Sequence, residues 1–371
     1  MERSLTHRTR KERSASQPTR TRLAGPRRRA AIALLGLLIG ISISQAGAPA
    51  PGRPVRHQRP TSGPGATRPA GQTQTIRYGP GRKIATLVQR QIRESSGLAC
   101  SRRKADVFWT HNDSGGGARI FAFDLRGRAL GIFTVPGASA RDWEDMASFV
   151  MDRKSYLLLA DTGDNQCRRR FSTLHLVEEP RIPAAAGTAA HTAKLVWSLR
   201  FAYEDGSYDC ESVAVDPARR MVYLVTKRPK CAVYELPIPA KPTAAVRTAK
   251  RIAPLALGWF TAMDLSPDGL RAVLLTYGDA LEFVRRPSEN WSRGFARQPR
   301  VLPMPRRAQG ESICYGSDGR TLYLTSEKLP TPLFQVPALP GRRQGAATAP
   351  AASPPARRRE KDKPDDGPGG A

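Results

Sequence analysis

A short acidic or polar segment recurs five times along the middle of the chain, and each copy is followed by a run with strand-like residues. We call these segments the heads of the repeats. They are "ESSGLAC", "DWEDMASFV", "DCESVAVDP", "TAMDLSPDG" and "GESICYGSDG". Each is followed by a second strand-like run, such as "VFWTHNDSGG" or "YLLLADTGDN". The heads are roughly 50 residues apart, a period typical of a repeated supersecondary unit. No sustained 3.6-residue apolar period accompanies them, which favours an all-β fold.

Every repeat continues with a third strand-like segment, and the first four repeats have a fourth, such as "ALGIFTV" and "AKLVWSLRF". The fifth lacks one, and "KIATLVQRQI" (Lys83–Ile92) would supply it from the start of the domain. A propeller needs such a strand, because otherwise its ring has two open edges. We therefore predict a single β-propeller over residues 83–340, with five four-stranded blades closed by an N-terminal strand. The longer gap between Glu144 and Glu211 would accommodate a sixth blade. A β-sandwich is the main competing fold, but it does not predict five matching heads.

The two ends of the chain have compositions unsuited to a packed core. Residues 1–46 combine a basic segment with the apolar run Ala30–Ser44 and small residues after it, which predicts an export signal peptide or an uncleaved membrane anchor. Residues 47–82 form a basic, Pro/Gly-rich linker, and residues 341–371 form a charged tail. Both are expected to be disordered. We expect an exported protein of the cell envelope, periplasmic or extracellular, with residues 30–44 as a membrane tether if the signal is retained.

The formal net charge of +28 lies mostly outside the repeats, in the N-terminal segments and the C-terminal tail. For an exported chain, this distribution argues against nucleic acid as a partner. An anionic envelope polymer or lipid is a better match for the basic linker. Nothing in the repeats indicates self-association, and we expect a monomer.

In a propeller, the start of the innermost strand lies beside the end of the second strand, so the polar heads and ends surround one mouth. Many carboxylates around one axis repel each other unless they are neutralised, and oxygen donors in this number suit Ca²⁺. The candidate metal ligands are Asp113, Asp142, Glu144, Asp161, Asp164, Glu211 and Glu311. Asp145 is expected to face the opposite way from its neighbours in "RDWEDM".

A structural role is an equal alternative for two of these positions, Glu211 and Glu311, and for Glu94 at the head of the first repeat. "ESS", "CES" and "GES" place Glu94, Glu211 and Glu311 beside a serine, which fits acids that hold neighbouring blades through backbone N–H groups. For the ends "HND" and "DTGDN", the alternative is ordinary turn chemistry of Asx and Gly residues.

Other chemistry has few candidates. Lys227 and Arg228 are expected either to share in neutralising the carboxylates or to bind an anion beside the metal. Asn112 and Asn165 are expected to contact a ligand. His111 is the candidate catalytic acid or base, with a hydrogen bond that braces a blade as an equal alternative. The chain has five histidines and five cysteines without metal-like spacing. It has no GxSxG, P-loop or HExxH motif, so a serine hydrolase triad or a histidine-based zinc site is not indicated.

Several motifs resemble those of a family of exported bacterial propeller proteins of unknown function. They are "VFWTHNDSG", "DWEDMA", "ADTGDNQCRRR", "TAMDLSPDG" and "QGESI". The resemblance covers residues 84–337, and such proteins are similar in general design to β-propeller phytases and phytase-related esterase-like domains. The likeness to phytases rests on the predicted fold and the acidic mouth. From the acids of the mouth, we expect a calcium-binding site that binds an envelope polymer, a phosphorylated small molecule or a protein partner. The alternative is a Ca²⁺-dependent phosphoesterase, in which the carboxylates hold the metal and Lys227 and Arg228 bind phosphate.

Overall fold

The computed structural model describes residues 75–340, apart from residues 185, 186, 188, 229 and 230. The regular secondary structure of the described residues consists of β-strands and one short helix. In chain order the first strands are β1 (Arg82–Thr86), β2 (Ser95–Cys100), β3 (Val107–Asn112), β4 (Arg119–Asp124), β5 (Ala129–Thr134), β6 (Trp143–Met151), β7 (Lys154–Asp161), β8 (Ser172–Glu178), β9 (Ala190–Thr192) and β10 (Lys194–Tyr203). The later elements are β11 (Asp209–Asp216), β12 (Met221–Arg228), β13 (Ala232–Pro237), β14 (Arg247–Pro254), β15 (Phe260–Leu265), β16 (Arg271–Thr276), β17 (Ala280–Val284), α1 (Trp291–Phe295), β18 (Arg300–Leu302), β19 (Ser312–Tyr315), β20 (Leu322–Thr325) and β21 (Pro332–Val336).

The strands pair into five four-stranded antiparallel units, which we number in chain order. Unit 1 is β2–β5, unit 2 is β6, β7, β8 and β10, unit 3 is β11–β14, unit 4 is β15–β18, and unit 5 is β19–β21 with β1. Units 2 and 3 join into one eight-stranded sheet, because their outer strands β10 and β14 pair in parallel. The short strand β9 adds to the outer edge of unit 1.

The first strands of the five units pack against one another in a cycle. β2 contacts β6, β6 contacts β11, β11 contacts β15, β15 contacts β19, and β19 contacts β2. Every residue of β2, β11, β15 and β19 is buried. Apolar clusters fill the spaces between neighbouring units, as expected for sheets that are covered on both faces. The predicted all-β, propeller-like fold agrees with this arrangement.

Hydroxyl groups form hydrogen bonds between neighbouring units near the mouth. The Ser95 Oγ lies 2.7 Å from the Thr325 Oγ1, which links units 1 and 5. The Thr162 hydroxyl donates to the Cys210 carbonyl oxygen at 2.7 Å. Such bonds satisfy buried polar groups where an apolar residue would leave them without partners.

The strand register places the head of each unit beside the end of its second strand. Ser95 lies opposite Asn112, Trp143 opposite Asp161, and Ser312 opposite Thr325. Asp209 and Phe260 are paired in the same way, with Arg228 and Thr276. The acidic heads and the polar strand ends therefore meet at one end of the units, which we call the mouth.

The N-terminal strand pairs with the last unit, as the sequence predicts. β1 runs antiparallel to β21, with Arg82 opposite Gln335. The strand is shorter than the predicted segment, because the Leu87 N–H bonds to the Thr331 carbonyl oxygen and the Val88 N–H bonds to the Gly127 carbonyl oxygen instead. Outside the predicted domain limits, Tyr78 forms an isolated bridge to Ala338.

The expected signal or anchor lies outside the described residues, as do most of the linker and the C-terminal tail. Among the residues that the structure describes, no helix is both long and apolar enough to cross a membrane. The sequence analysis missed α1 and β9, which are too short to show a period of their own.

Candidate metal centre

Backbone hydrogen bonds within and between units 1 and 2 bring acids of the mouth together. Asp113 follows β3, and its N–H donates to the Glu94 carbonyl oxygen at 3.1 Å. The carbonyl oxygen of Asp113 accepts from the Trp143 N–H at 3.0 Å, where β6 begins. The carbonyl oxygen of Asp142 accepts from the Gly163 N–H at 3.2 Å, where β7 has ended. Units 1 and 2 are therefore joined at the point where their acidic side chains stand.

Two groups of three carboxylates lie at the mouth. One contains Asp113, Asp142 and Glu144, and the other contains Glu144, Asp209 and Glu211. In each group one oxygen of every residue lies within 4.8 Å of the others. Glu144 belongs to both groups. Oxygen atoms at these separations are close enough to coordinate one cation, since Ca²⁺–oxygen distances are about 2.3–2.6 Å.

The first group surrounds a glycine and contains an oxygen without a partner. A Cβ atom at Gly163 would collide with the Glu144 Oε1 and the Asp142 Oδ2, so the close approach of the two carboxylates requires glycine there. The Asp113 Oδ1 is buried and has no hydrogen-bond partner among the described residues. A buried carboxylate oxygen in this state is costly unless a cation or a proton neutralises it.

The pKa values in the first group are displaced as expected for crowded, buried acids. Burial, together with the nearby Asp142 and Glu327 carboxylates, raises the pKa of Asp113 to about 8. Burial is also the main cause that raises the pKa of Asp142. For Glu144, burial and then the Glu211 carboxylate raise the pKa well above its ordinary value. Without a cation, Asp113 therefore holds a proton near neutral pH, and the ionised forms of Asp142 and Glu144 are disfavoured.

The second group has a resident cation, Lys227. Its Nζ donates to both Glu211 oxygens, at 2.5 and 2.6 Å, and to the Tyr277 hydroxyl at 2.8 Å. Although burial opposes the shift, Glu211 raises the pKa of Lys227. Glu311 is also buried nearby and accepts from the Gln309 amide at 3.1 Å. The ammonium of Lys227 thus neutralises Glu211 and leaves no ion-pairing capacity for an incoming anion.

Asp161 and Asp164 lie outside both groups. The Asp161 Oδ1 pairs with the Arg169 guanidinium at 2.7 Å, and its Oδ2 accepts from the Ser139 hydroxyl at 2.7 Å. Although burial opposes it, these bonds hold the pKa of Asp161 below its ordinary value. The Asp164 Oδ2 accepts from the Arg169 N–H at 2.6 Å. Their oxygens therefore organise the loop after β7.

The predicted ligand-binding and catalytic residues occupy different settings. Asn112 bonds to the backbone through both ends of its amide, accepting from the Arg93 N–H at 2.9 Å and donating to the Gln91 carbonyl oxygen at 2.8 Å. His111 is fully buried against Trp143, and burial lowers its pKa to about 4. A buried, neutral imidazole packed edge-on against an indole is typical of a structural residue.

Asn165 lies at the wall of a cavity in the loop after β7. Arg228 ends β12 opposite Asp209, and its side chain is outside the described part of the chain. The ligand-binding role predicted for these two residues stays a prediction.

Sequence analysis left Asp209 out of the predicted ligands, although it heads unit 3. Its Oδ1 accepts from the Asp164 N–H at 2.8 Å, and its carboxylate belongs to the second group. The position of Asp209 two residues before Glu211, on the same face of a strand, would have indicated it.

Comparisons with known proteins show distant likeness only. No family model matches the chain, and no curated protein matches it. Among solved structures, a gluconolactonase from Xanthomonas campestris is 12% identical with a TM-score of 0.39, over 73% of this chain and 99% of that one. A chain of a nidogen/laminin complex is 13% identical with a TM-score of 0.38, over 63% of this chain and 73% of that one. At these scores, fold and function have to be argued from the topology and residues of the chain itself.

Proposed function

We propose that the protein is a five-bladed propeller, closed by β1, that binds a divalent cation at its mouth and uses that site to hold a ligand. Support for five blades comes from the five four-stranded units and the cycle of contacts between their first strands. Support for closure comes from the antiparallel pairing of β1 with β21. The expected export signal would place this site at the cell envelope.

The observation that carries the proposal is the convergence of Asp113, Asp142 and Glu144. The three side chains come from two units and crowd around a glycine. The second group is a poorer candidate, because Lys227 already binds both oxygens of Glu211. We therefore assign the cation to the first group, with Asp209 as a neighbour through Glu144.

Calcium is the expected cation. The donors are carboxylate oxygens, which a hard cation prefers, and no histidine or thiol takes part. Three carboxylates also provide enough negative charge to offset a divalent ion. The cation would draw together residues that otherwise repel each other, and it would offer open coordination positions to an oxygen-containing ligand.

A Ca²⁺-dependent phosphoesterase is the alternative function. A bound cation would supply Lewis acidity and lower the pKa of a water molecule. The proposed anion contact at Lys227 has little support, since that ammonium is paired with Glu211. We therefore rank ligand binding above hydrolysis, and a screen of phosphate esters with and without Ca²⁺ separates the two.

The proposal predicts that Ca²⁺ stabilises the protein against heat. At a concentration about 100-fold above Kd, binding contributes about 2.7 kcal/mol, which corresponds to roughly 5 °C or more for a domain of this size. Asp113→Asn and Glu144→Gln should abolish the shift and still fold, because burial already favours the neutral forms of both acids. The measurement is the Tm of each protein with Ca²⁺ and with a chelator.

Asp152→Asn is the matched control, since Asp152 is exposed in the turn between β6 and β7, at the end opposite the mouth. It should keep the full Ca²⁺ shift. A wild-type protein without a shift, or a shift that persists in both mouth variants, would contradict the proposal.

The same measurement has a defined pH dependence. Folding raises the pKa of Asp113 from an ordinary value of about 3.9 to about 8. The stability linked to its protonated form is complete below about pH 4 and is lost as the pH rises towards 8. In chelator, the Tm should therefore fall between pH 5 and pH 8. The Ca²⁺ shift should be larger at pH 8, because the cation competes with fewer protons.

A further inference from the structure

A cavity of about 470 Å³ opens beside the proposed metal group, and its wall is rich in arginine. It is formed mainly by the loop after β7, "DTGDNQCRRR", together with the residues that precede β6. The charged residues of its wall are Arg141, Asp142, Asp164, Arg168, Arg169 and Arg170. Four guanidinium groups thus stand against two carboxylates, and the cavity carries net positive charge beside an acidic mouth.

The two carboxylates are already engaged. The Asp164 Oδ2 accepts from the Arg169 backbone N–H, and the Asp142 carboxyl group shares a hydrogen bond with that of Asp113. The side chains of Arg141 and Arg168 are exposed at the cavity. The guanidinium charges of Arg141 and Arg168 are therefore available to a ligand.

The side chain of Arg169 lines the cavity and is held in place by two contacts. One of its terminal nitrogens donates to the Gly163 carbonyl oxygen at 2.7 Å, and the other pairs with Asp161 at 2.7 Å. Only 8% of its side chain is exposed. Its Nε is buried and has no hydrogen-bond partner among the described residues. A buried N–H donor of a charged group without an acceptor is costly, and an oxyanion in the cavity would offer one.

We propose that this cavity binds a phosphate group, with Arg141, Arg168 and Arg169 as its contacts. Guanidinium groups suit phosphate because their planar N–H donors match two phosphate oxygens at once. Asp142 lies both in the cavity wall and in the metal group. A phosphate held by the arginines can therefore turn another oxygen towards the cation. Only this last contact rests on the proposed function, since the arginines bind phosphate with or without a metal.

Calorimetry on the full-length protein tests the proposal, with inorganic phosphate as the probe, in a chelator. Arg141→Gln combined with Arg168→Gln should weaken phosphate binding by about tenfold or more, since the variant loses the charge-assisted hydrogen bonds of two guanidinium groups. Both residues are exposed, so the Tm should stay unchanged. Arg126→Gln is the control for charge, because Arg126 lies in the exposed turn between β4 and β5, away from the mouth. It should bind phosphate as the wild type does.

A second titration with glycerol 2-phosphate in place of inorganic phosphate identifies the source of the group. Tighter binding of the ester indicates a phosphorylated molecule, and equal or weaker binding indicates free phosphate. Absence of phosphate binding by the wild type, or equal affinity of the double arginine variant, overturns the proposal.

The two proposals fail separately. Phosphate binding without any Ca²⁺ shift in Tm would refute the metal site and leave the arginine cavity standing. A Ca²⁺ shift in Tm without phosphate binding would refute the arginine cavity and leave the metal site standing. Asp113→Asn should lose the Ca²⁺ response and keep phosphate binding in chelator, because Asp113 is not part of the cavity wall.

Discussion

Asp145 ties three units of the molecule together through its buried carboxylate. Its Oδ2 accepts the N–H of Val213 on β11 at 2.8 Å and that of Met263 on β15 at 3.1 Å. Its Oδ1 accepts the N–H of Met146 at 2.8 Å. The side chain is fully buried, so no water replaces these bonds. The acid next to Glu144 thus has a structural role, while Glu144 itself faces the mouth.

Asp145→Asn should destabilise the protein by about 1–3 kcal/mol. The amide keeps one acceptor oxygen and directs an NH₂ group at backbone donors, and each buried donor left unsatisfied costs about 1–3 kcal/mol. Chemical denaturation of the metal-free protein measures the effect. Asp152→Asn is the control, since its exposed pair with Arg220 contributes little. Equal stability of the two variants would refute the role assigned to Asp145.

At the residue scale, strand alternation predicted which acids of "RDWEDM" face the mouth. Glu144 lies in both carboxylate groups, and Asp145 points to the other side. Asp161 and Asp164 were harder to place, because their partner Arg169 lies in an irregular loop. A loop conformation depends on its own hydrogen bonds and has no period that a sequence pattern can reveal.

At the element scale, β1 covers the edge of β21 that would otherwise be exposed. The two strands pair from Arg82 opposite Gln335 to Thr86 opposite Pro332. An unpaired edge costs backbone hydrogen bonds and invites association with other chains. The pairing joins residues near the start of the described chain to residues near its end.

Two truncations test the contribution of β1. Removal of residues 1–74 leaves all described residues in place, and the Tm should equal that of the full chain. Removal of residues 1–86 takes away β1 and should lower the Tm by roughly 5 °C or more, or make the protein precipitate. Thermal unfolding followed by circular dichroism measures both. Equal Tm values for the two truncated proteins would show that β1 does not hold unit 5.

The strands were predictable from the sequence because each occupies a short run of alternating or β-branched residues between turn residues. The predicted segment "ALGIFTV" contains all of β5, and "AKLVWSLRF" contains all of β10 except its last two residues. The parallel pairing of β10 with β14 could not be predicted in this way. It joins two outer strands from different units, and no local pattern specifies such a contact.

For the whole molecule, the cycle of five first strands explains why acids accumulate at one end. Each unit directs the head of its first strand to the mouth, and the heads of units 2 and 3 carry the acids Asp142, Glu144, Asp209 and Glu211 there. Units 1 and 2 place Asp113, Asp142 and Glu144 together. Unit 3 contributes the ion pair between Glu211 and Lys227. The arginine cavity adds a positive region beside them. The arrangement suits a ligand that carries phosphate next to a bound cation.

A crystal structure of the protein with Ca²⁺, with anomalous scattering from the cation, tests the central claim most directly. We predict one strong anomalous peak at the mouth, about 2.3–2.6 Å from oxygens of Asp113, Asp142 and Glu144. The peak should vanish in Glu144→Gln. Ordered side chains at these three residues without a peak between them, or a peak only at another place, would contradict the account.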